Sequence, residues 1–248
     1  MISQKKIDYF KENGEVKVSS VLSGREIFLI KDGVNNFIKE NRKKLKLGNN
    51  FNFVKNSKNA SSLHRLEKYK NRIFYKLATQ KKFKLIAEKL NGANSKLLTI
   101  QFFFKNKKEN KATPIHQDNG PWCFKNGKGL SFWIALNKTG KKNGILYYYQ
   151  KSHKKDLKHN TSSTTPGSSQ VIKKINKKYK KINYELKAGE CVIHDSRTVH
   201  GSYENKVNKD RQAFVISFVT NDSVKDKIRQ KAYEKNLILA NKRRSKLL

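Results

Sequence analysis

A chain of 248 residues, 36% hydrophobic and 10% aromatic, can build one large core or two small ones. It contains no apolar run long enough to cross a bilayer, which predicts no membrane span. Its two cysteines, Cys123 and Cys191, are too few for a disulfide framework or a zinc cluster and read as reduced thiols of a cytoplasmic protein. The formal net charge is +37, from 56 Lys and Arg against 19 Asp and Glu. Such a field attracts nucleic acid, anionic lipid or acidic metabolites. Lysine and asparagine are also dense in plain loops such as KNKKENK, a pattern that AT-rich codon usage produces. A functional anionic partner and a merely soluble basic surface are both open at this point.

In chain order, MISQKKIDYFKENGEV lacks the apolar stretch of a secretory signal. Arg25 to Leu45 carries Ile27, Ile30, Val34, Phe37 and Ile38 at helical spacing, and Asn71 to Leu90 does the same with Ile73, Leu77, Phe83, Ile86 and Leu90. Gly92 is the expected stop of the second helix. From Lys96 the pattern changes to short strand-like pieces, LLTIQFFF, LSFWIAL, GILYYYQ, YELKAGECVIHD and RQAFVISFVT, punctuated by Gly129, Gly140, Gly144, Gly189 and Gly201. The polar stretch Ser162 to Ser169 predicts a loop, and the segment from Asp222 onward a basic helix and tail. The whole is expected to be one domain over 1–248. A helical layer covers about 1–95, an antiparallel β sandwich or closed barrel about 96–222, and the basic helix and tail about 223–248.

The stretch TPIHQDNGPW places His116 and Asp118 two residues apart after an apolar strand, so both side chains leave the same face. Alone the pair is weak. The block GECVIHDSRTVHGSYEN adds His194 and His200, and His200 is followed by Gly201, which leaves room beside the backbone. Two histidines and a carboxylate make a facial triad that leaves open positions on a six-coordinate non-haem iron. A dicarboxylic cosubstrate would need a fixed cation, and Arg211 follows eleven residues after His200. An arginine fork suits a carboxylate. An antiparallel partner strand, reached through the turn YENKVNKD, is expected to bring Arg211 back to the site.

From about Asn71 to Thr220 the sequence resembles the phytanoyl-CoA dioxygenase family of Fe(II)/2-oxoglutarate oxygenases. Three blocks in order carry the resemblance: HQD at 116–118, SFWIALNKTGKKNGILYYYQKSH, and LKAGECVIHDSRTVHGSYEN with its following arginine. The resemblance implies a double-stranded β-helix, a jelly roll with N-terminal helices packed on the larger sheet. It implies His116, Asp118 and His200 as iron ligands, Arg211 on the distal carboxylate of 2-oxoglutarate, and Ser202 as its hydrogen-bonding neighbour. Trp133 would line the cosubstrate pocket, with Gln101 and Gln117 in contact with the cosubstrate; the role of Lys105 stays open. The cofactors implied are Fe(II), 2-oxoglutarate and O2. The family's usual PGSH is here Gln150 to His153, QKSH, and its GD is Gly189-Glu190. Related halogenases replace the aspartate by a small residue, and the intact Asp118 points to hydroxylation.

The function expected is hydroxylation of an unactivated C–H of a small or carrier-bound, anionic metabolite, with release of succinate and CO2. Two alternatives stand beside it. A nucleic-acid-modifying oxygenase rests on charge alone, since no aromatic-basic RNA element is present. A catalytically silent basic binding protein on the same fold is opposed by the intact triad and Arg211. Among the remaining residues, His194 shares a parity with His200 and reads as pocket-edge or structural, because the family ligand is the one followed by Gly-Ser. His153 reads as structural, and His64 and His159 as surface residues. Trp122 and Phe124 are read as lining the entrance or packing. Tyr147 and Tyr149 share a face as core or rim, and Cys191 reads as a buried small hydrophobe.

Overall fold

The computed structural model describes residues 2–42, 50–53, 59–107, 111–161, 169–172 and 175–245. The first part holds α1 (Gln4–Asn13), β1 (Glu15–Val18), α2 (Gly24–Asn41), β2 (Phe51–Phe53), β3 (Ala60–Leu63), α3 (Ile73–Ala78) and α4 (Lys81–Asn91). The strand-rich part follows with β4 (Ser95–Lys105), β5 (Thr113–His116), the short α5 (Asn119–Trp122), β6 (Gly129–Ala135), β7 (Leu146–Tyr149), β8 (His159–Thr161) and β9 (Ser169–Val171). It ends with β10 (Lys181–Tyr184), β11 (Cys191–Asp195), β12 (His200–Ser202), β13 (Arg211–Thr220) and α6 (Lys227–Ser245). Two antiparallel sheets form the jelly roll. The larger runs β1-β11-β6-β13-β4-β3-β2, the smaller β10-β7-β12-β5, and β8 pairs with β9 in a hairpin.

The first ninety residues are not all helical. β1 adds to one end of the larger sheet, and β3 with β2 to the other. These strands are three or four residues long (EVKV, FNF, ASSL), too short to show an alternation in sequence. The helices form where the apolar spacing put them, with corrected ends. Ser23 and Glu26 make a reciprocal capping box that starts α2, whose buried face is Ile30, Val34 and Phe37. The expected helix over 71–90 is two. Thr79 Oγ1 donates back to the carbonyl oxygens of Tyr75 (2.9 Å) and Lys76 (3.3 Å), satisfying the end of α3, and Gln80 is non-helical before α4 begins. Gly92 then ends α4 in the left-handed conformation, φ 66. The polar stretch 162–168 lies outside the described residues, as do 43–45 of the first predicted helix.

The larger sheet is buried on both faces, so each strand divides its residues by parity. Ile100, Phe102 and Phe104 of β4, Leu130, Phe132 and Ile134 of β6, and Phe214, Ile216 and Phe218 of β13 pack outward into one core with Phe37, Phe74 and Phe83 of the helices. Edge-to-face contacts such as Phe83 with Phe132, 5.4 Å between centroids, tie the layers. The alternate residues Trp133, Ala135, Val192, Ala213 and Val215 face inward, against Leu146, Tyr148 and Leu186. The basic C-terminal segment is helical as expected. Asp226 Oδ1 accepts from the backbone N–H of Ile228 and Arg229 and opens α6. Among the described residues no helix is long and apolar enough to cross a membrane.

Glu15 on β1 is fully buried. Burial, opposed by hydrogen bonds from Gln150 and Tyr184, pushes its carboxyl from 4.5 up to about 7. Between those values the unfolded chain has lost this proton and the folded chain keeps it. The Glu15 contribution to stability therefore falls as pH rises from 4.5 to about 7, by up to about 3 kcal/mol. Glu15→Gln is expected to be more stable than the unsubstituted protein at pH 8 and to lose this advantage at pH 4.5. Urea denaturation of both proteins across that range checks it, because the difference between them removes the titration of every other group.

Candidate metal centre and its surroundings

His116 ends β5 and His200 begins β12, and the two are register partners in the smaller sheet. Their ring centroids lie 4.2 Å apart. Asp118 follows two residues after His116, at the entry to α5. One ligand atom from each of the three lies within 4.8 Å of the others. Both rings are oriented by their own backbone: His116 Nδ1 bonds the carbonyl oxygen of Pro114 at 2.8 Å and His200 Nδ1 that of Thr198 at 2.9 Å. A carbonyl can only accept, so each Nδ1 carries the hydrogen and each Nε2 keeps its lone pair. Both Nε2 atoms face Asp118 Oδ1, at 3.7 Å and 3.8 Å, too far for hydrogen bonds.

The electrostatics suit a cation. Burial is the main cause lowering the pKa of His116 and of His200, so both imidazoles stay neutral and can ligate. Burial works to raise Asp118. The His194 hydrogen bond and the three surrounding imidazoles outweigh it and hold the carboxyl well below its ordinary value. A half-buried cluster with one anionic oxygen pair and two free imidazole lone pairs fits a divalent ion of intermediate softness. Gly201 is required by packing on the other side, since a Cβ there would lie 2.6 Å from Tyr147 Oη.

Arg211 does not return on a partner of the His200 strand. β12 belongs to the smaller sheet and pairs with β5 and β7, whereas β13 is central in the larger sheet between β6 and β4. The turn YENKVNKD therefore crosses between sheets, and Arg211 enters the interior from the opposite wall. It is buried, its guanidinium 5.1 Å from the centre of the Trp133 ring. Its cross-strand partner is Lys105, also buried, whose Nζ donates to Lys111 O at 2.6 Å. Ser202 Oγ donates to Thr113 Oγ1 at 3.0 Å within the smaller sheet.

The glutamines differ from each other. Gln101 lies on the same parity of β4 as Phe103 and Lys105, and its amide donates to His64 Nδ1 at 2.8 Å. Gln117, expected beside the cosubstrate, points the opposite way from its neighbours His116 and Asp118. Its Nε2 donates to the carbonyls of Lys155 and Arg197, and its Oε1 accepts from Leu157 N–H at 2.8 Å. It is a strut between loops. Both polar ends of its side chain are spent on these loops.

Two histidines expected on the surface are half-buried and hydrogen-bonded. His64 bonds Gln101 and Ser62, and burial lowers it to about 4. His159 accepts the Gln117 N–H at 2.9 Å through Nε2 and donates from Nδ1 to Leu157 O at 2.7 Å, bracing the turn that carries His116 and Asp118. His153 is structural, against Lys11 O at 3.2 Å. Phe124 is buried beneath Lys225 Nζ, 3.9 Å from its ring, so it packs rather than lines an opening. Tyr147 and Tyr149 flank Lys181 on the outer face with Tyr203, while Tyr148 is buried inside and stacks 5.5 Å from His200. His194 is on β11 in the larger sheet, not on one strand with His200, and its Nε2 lies 3.1 Å from Asp118 Oδ2. Ser131, which sequence reasoning did not single out, donates to the same oxygen at 2.7 Å. Its inward parity with Trp133 was the available signal.

Comparison with known proteins bears on the fold and the family. Among curated proteins, the phytanoyl-CoA dioxygenase domain-containing protein 1 homolog of Dictyostelium discoideum is 27% identical over 139 residues, 52% of this chain. The match covers 48% of that relative, so the chain spans about half the length of the curated protein it matches. Among solved structures, the non-haem α-ketoglutarate-dependent carbocyclase SnoK from nogalamycin biosynthesis superposes with TM-score 0.72 at 19% identity, covering 90% of this chain and 86% of its own. EvdO2 from Micromonospora carbonacea var. aurantiaca, complexed with 2-oxoglutarate, gives 0.70 at 18% over 91% and 94%. EctD from S. alaskensis, with 2-oxoglutarate and 5-hydroxyectoine, gives 0.70 at 16% over 88% and 76%. These similarities establish the fold. The profile of the phytanoyl-CoA dioxygenase (PhyH) family matches residues 10–213, and the chain is a member of that family.

Proposed function

We propose that the chain is an Fe(II)- and 2-oxoglutarate-dependent oxygenase that hydroxylates an unactivated C–H of a small or carrier-bound anionic metabolite. The observation that carries the reading is the convergence of His116 Nε2, His200 Nε2 and Asp118 Oδ1, with both Nδ1 atoms committed to backbone carbonyls. Those three residues would hold the ion. A bound ferrous ion with its keto acid supplies the oxygen chemistry, in which 2-oxoglutarate and O2 become succinate and CO2 while the substrate gains a hydroxyl. Arg211 grips the far carboxylate of the cosubstrate, with its guanidinium plane steadied on Trp133. Lys105 adds a second cation at the same level of the sheet. Ser202 and Thr113 supply hydroxyls from the facing sheet, and Gln101, oriented by His64, extends the wall. Fixing the cosubstrate at both ends is the protein's positioning contribution to rate.

An intact Asp118 occupies the position that a halide would need, which favours hydroxylation. An anionic substrate is favoured by the net charge of +37 and by the cations beside the turn that follows Asp118. Lys225 bonds Trp122 O, and Arg229 lies 3.4 Å from Asp156 Oδ2 and reaches Asn119 O.

Anaerobic addition of Fe(II) and 2-oxoglutarate is expected to produce a visible metal-to-ligand charge-transfer band, and a screen of carboxylated, phosphorylated and coenzyme A-linked metabolites should find succinate release coupled to one of them. Asp118→Ala removes both signals; normal iron content and full turnover in that variant would overturn the proposal. Arg211→Ala raises the 2-oxoglutarate KM by about 10- to 100-fold, the loss of hydrogen bonds to a charged group, with a smaller effect on kcat. Gln117→Leu is the contrasting case. It leaves the 2-oxoglutarate KM unchanged but lowers stability by about 2–5 kcal/mol through stranded loop groups, read by urea denaturation.

A further inference from the structure

A carboxylate offers two oxygens to a metal, and Asp118 uses them differently. Oδ1 faces the Nε2 atoms of His116 and His200. Oδ2 faces away from them, into the larger sheet, where it meets Ser131 Oγ at 2.7 Å and His194 Nε2 at 3.1 Å. His194, Ser131 and Ser217 are successive register partners across β11, β6 and β13. They form one polar rung across the inner face of the larger sheet. Ser131 Oγ spends its hydrogen on Asp118, so the 2.9 Å contact with Ser217 Oγ has Ser217 as donor. His194 Nε2 must carry hydrogen to bond a carboxylate oxygen, which leaves Nδ1 as acceptor toward Tyr148 Oη, a long contact of 3.4 Å. His194 and Ser131 are buried, and so is Tyr148, leaving water little access to compete.

We infer that His194 is a positioning residue of the metal centre, which with Ser131 clamps Asp118 Oδ2 and commits Asp118 to bind through Oδ1 alone. This rests on the proposed metal centre and deepens it. Two donors on one oxygen fix the plane of the carboxylate before any ion arrives, and they withdraw Oδ2 from chelation. Monodentate ligation is what leaves neighbouring positions for a two-toothed keto acid and a third for oxygen. His194 comes from the opposite sheet to His116 and His200, and the atoms close enough together to share an ion are those of His116, Asp118 and His200, without His194.

The test is Co(II) binding to the full chain without cosubstrate, followed by calorimetry and by the visible d–d spectrum. His194→Leu is expected to weaken Co(II) binding by about 10- to 100-fold and to change the d–d band as Oδ2 becomes free to chelate. His194→Gln, whose amide N–H can reach the same oxygen, restores most of the affinity and the original band. Ser131→Ala, which removes only a hydroxyl, shifts both readouts in the direction of His194→Leu and serves if the leucine variant does not fold, as judged by near-ultraviolet circular dichroism. Unchanged Co(II) affinity and spectrum in a folded His194→Leu protein, or in Ser131→Ala, overturn the clamp alone. A folded His194→Gln protein that binds as poorly as His194→Leu does so too, because His194 would then be a ligand itself. No Co(II) binding by the unsubstituted protein overturns the metal centre, and the clamp with it.

Discussion

The molecule depends on a parity constraint. The central strands of the larger sheet are buried on both sides, with helices over one face and the smaller sheet over the other. β6 is buried at every position from Gly129 to Ala135. Side chains alternate with period two, so one register of pairing sends Phe132, Ile134, Phe214 and Ile216 to the helices and Ser131, Trp133, Ala213 and Val215 to the interior. A slip by one residue would exchange the two sets. The aromatic layer would then face the smaller sheet, and Ser131 and Arg211 would be driven among the phenylalanines. The hydrophobic demand of the helical layer thus aims the interior polar groups.

Those polar groups are numerous for an enclosed space, and burial would cost several kcal/mol for each left without a partner. The inner face meets the cost locally. Ser131 serves Asp118 and Ser217, Ser202 serves Thr113, and Gln101 serves His64. The remaining imbalance is electrostatic. His116 and His200 are kept neutral while Asp118 is kept ionised, so the cluster holds one uncompensated negative charge. A divalent cation would reverse that sign, and a dicarboxylate would then meet the two cations of the proposed site, Arg211 and Lys105. Burial and charge ask for the same occupants as the donor geometry.

The sequence made parts of this arrangement legible and hid others for physical reasons. Local periodicity is carried by neighbouring residues, so β4, β6 and β13, α2 and the stop at Gly92 could all be read. The pair His116 and Asp118 was readable for the same reason, as i and i+2. Relations between distant strands are not encoded in any window. Arg211 was recognised as a residue, but its placement needed the knowledge that the chain changes sheets between Ser202 and Arg211. His194 and His200 share a parity in sequence, yet a turn at Asp195 to Val199 separates two strands of different sheets, and the two rings still converge to 4.3 Å. β1, β2 and β3 were missed because strands this short are defined by their partners. His64 and His159 looked exposed because polar residues surround them in sequence, while their actual neighbours, Gln101 and Gln117 N–H, lie about forty positions away.

The division of the candidate site between two sheets has a consequence for how it forms. β5 and β12 contribute His116 and His200 but are only four and three residues long, and a sheet of such short strands has little stability of its own. Its support is the apolar contact of Leu146, Tyr148 and Leu186 with Trp133, Val192 and Val215 from the larger sheet. The carboxylate between the histidines is held by donors from that larger sheet as well. Closing the sandwich and assembling the metal-binding geometry are therefore one event. A loosening of the inner apolar contact would be felt first at the relation between the two imidazoles and Asp118 Oδ1, because the groups that define it are anchored on opposite walls.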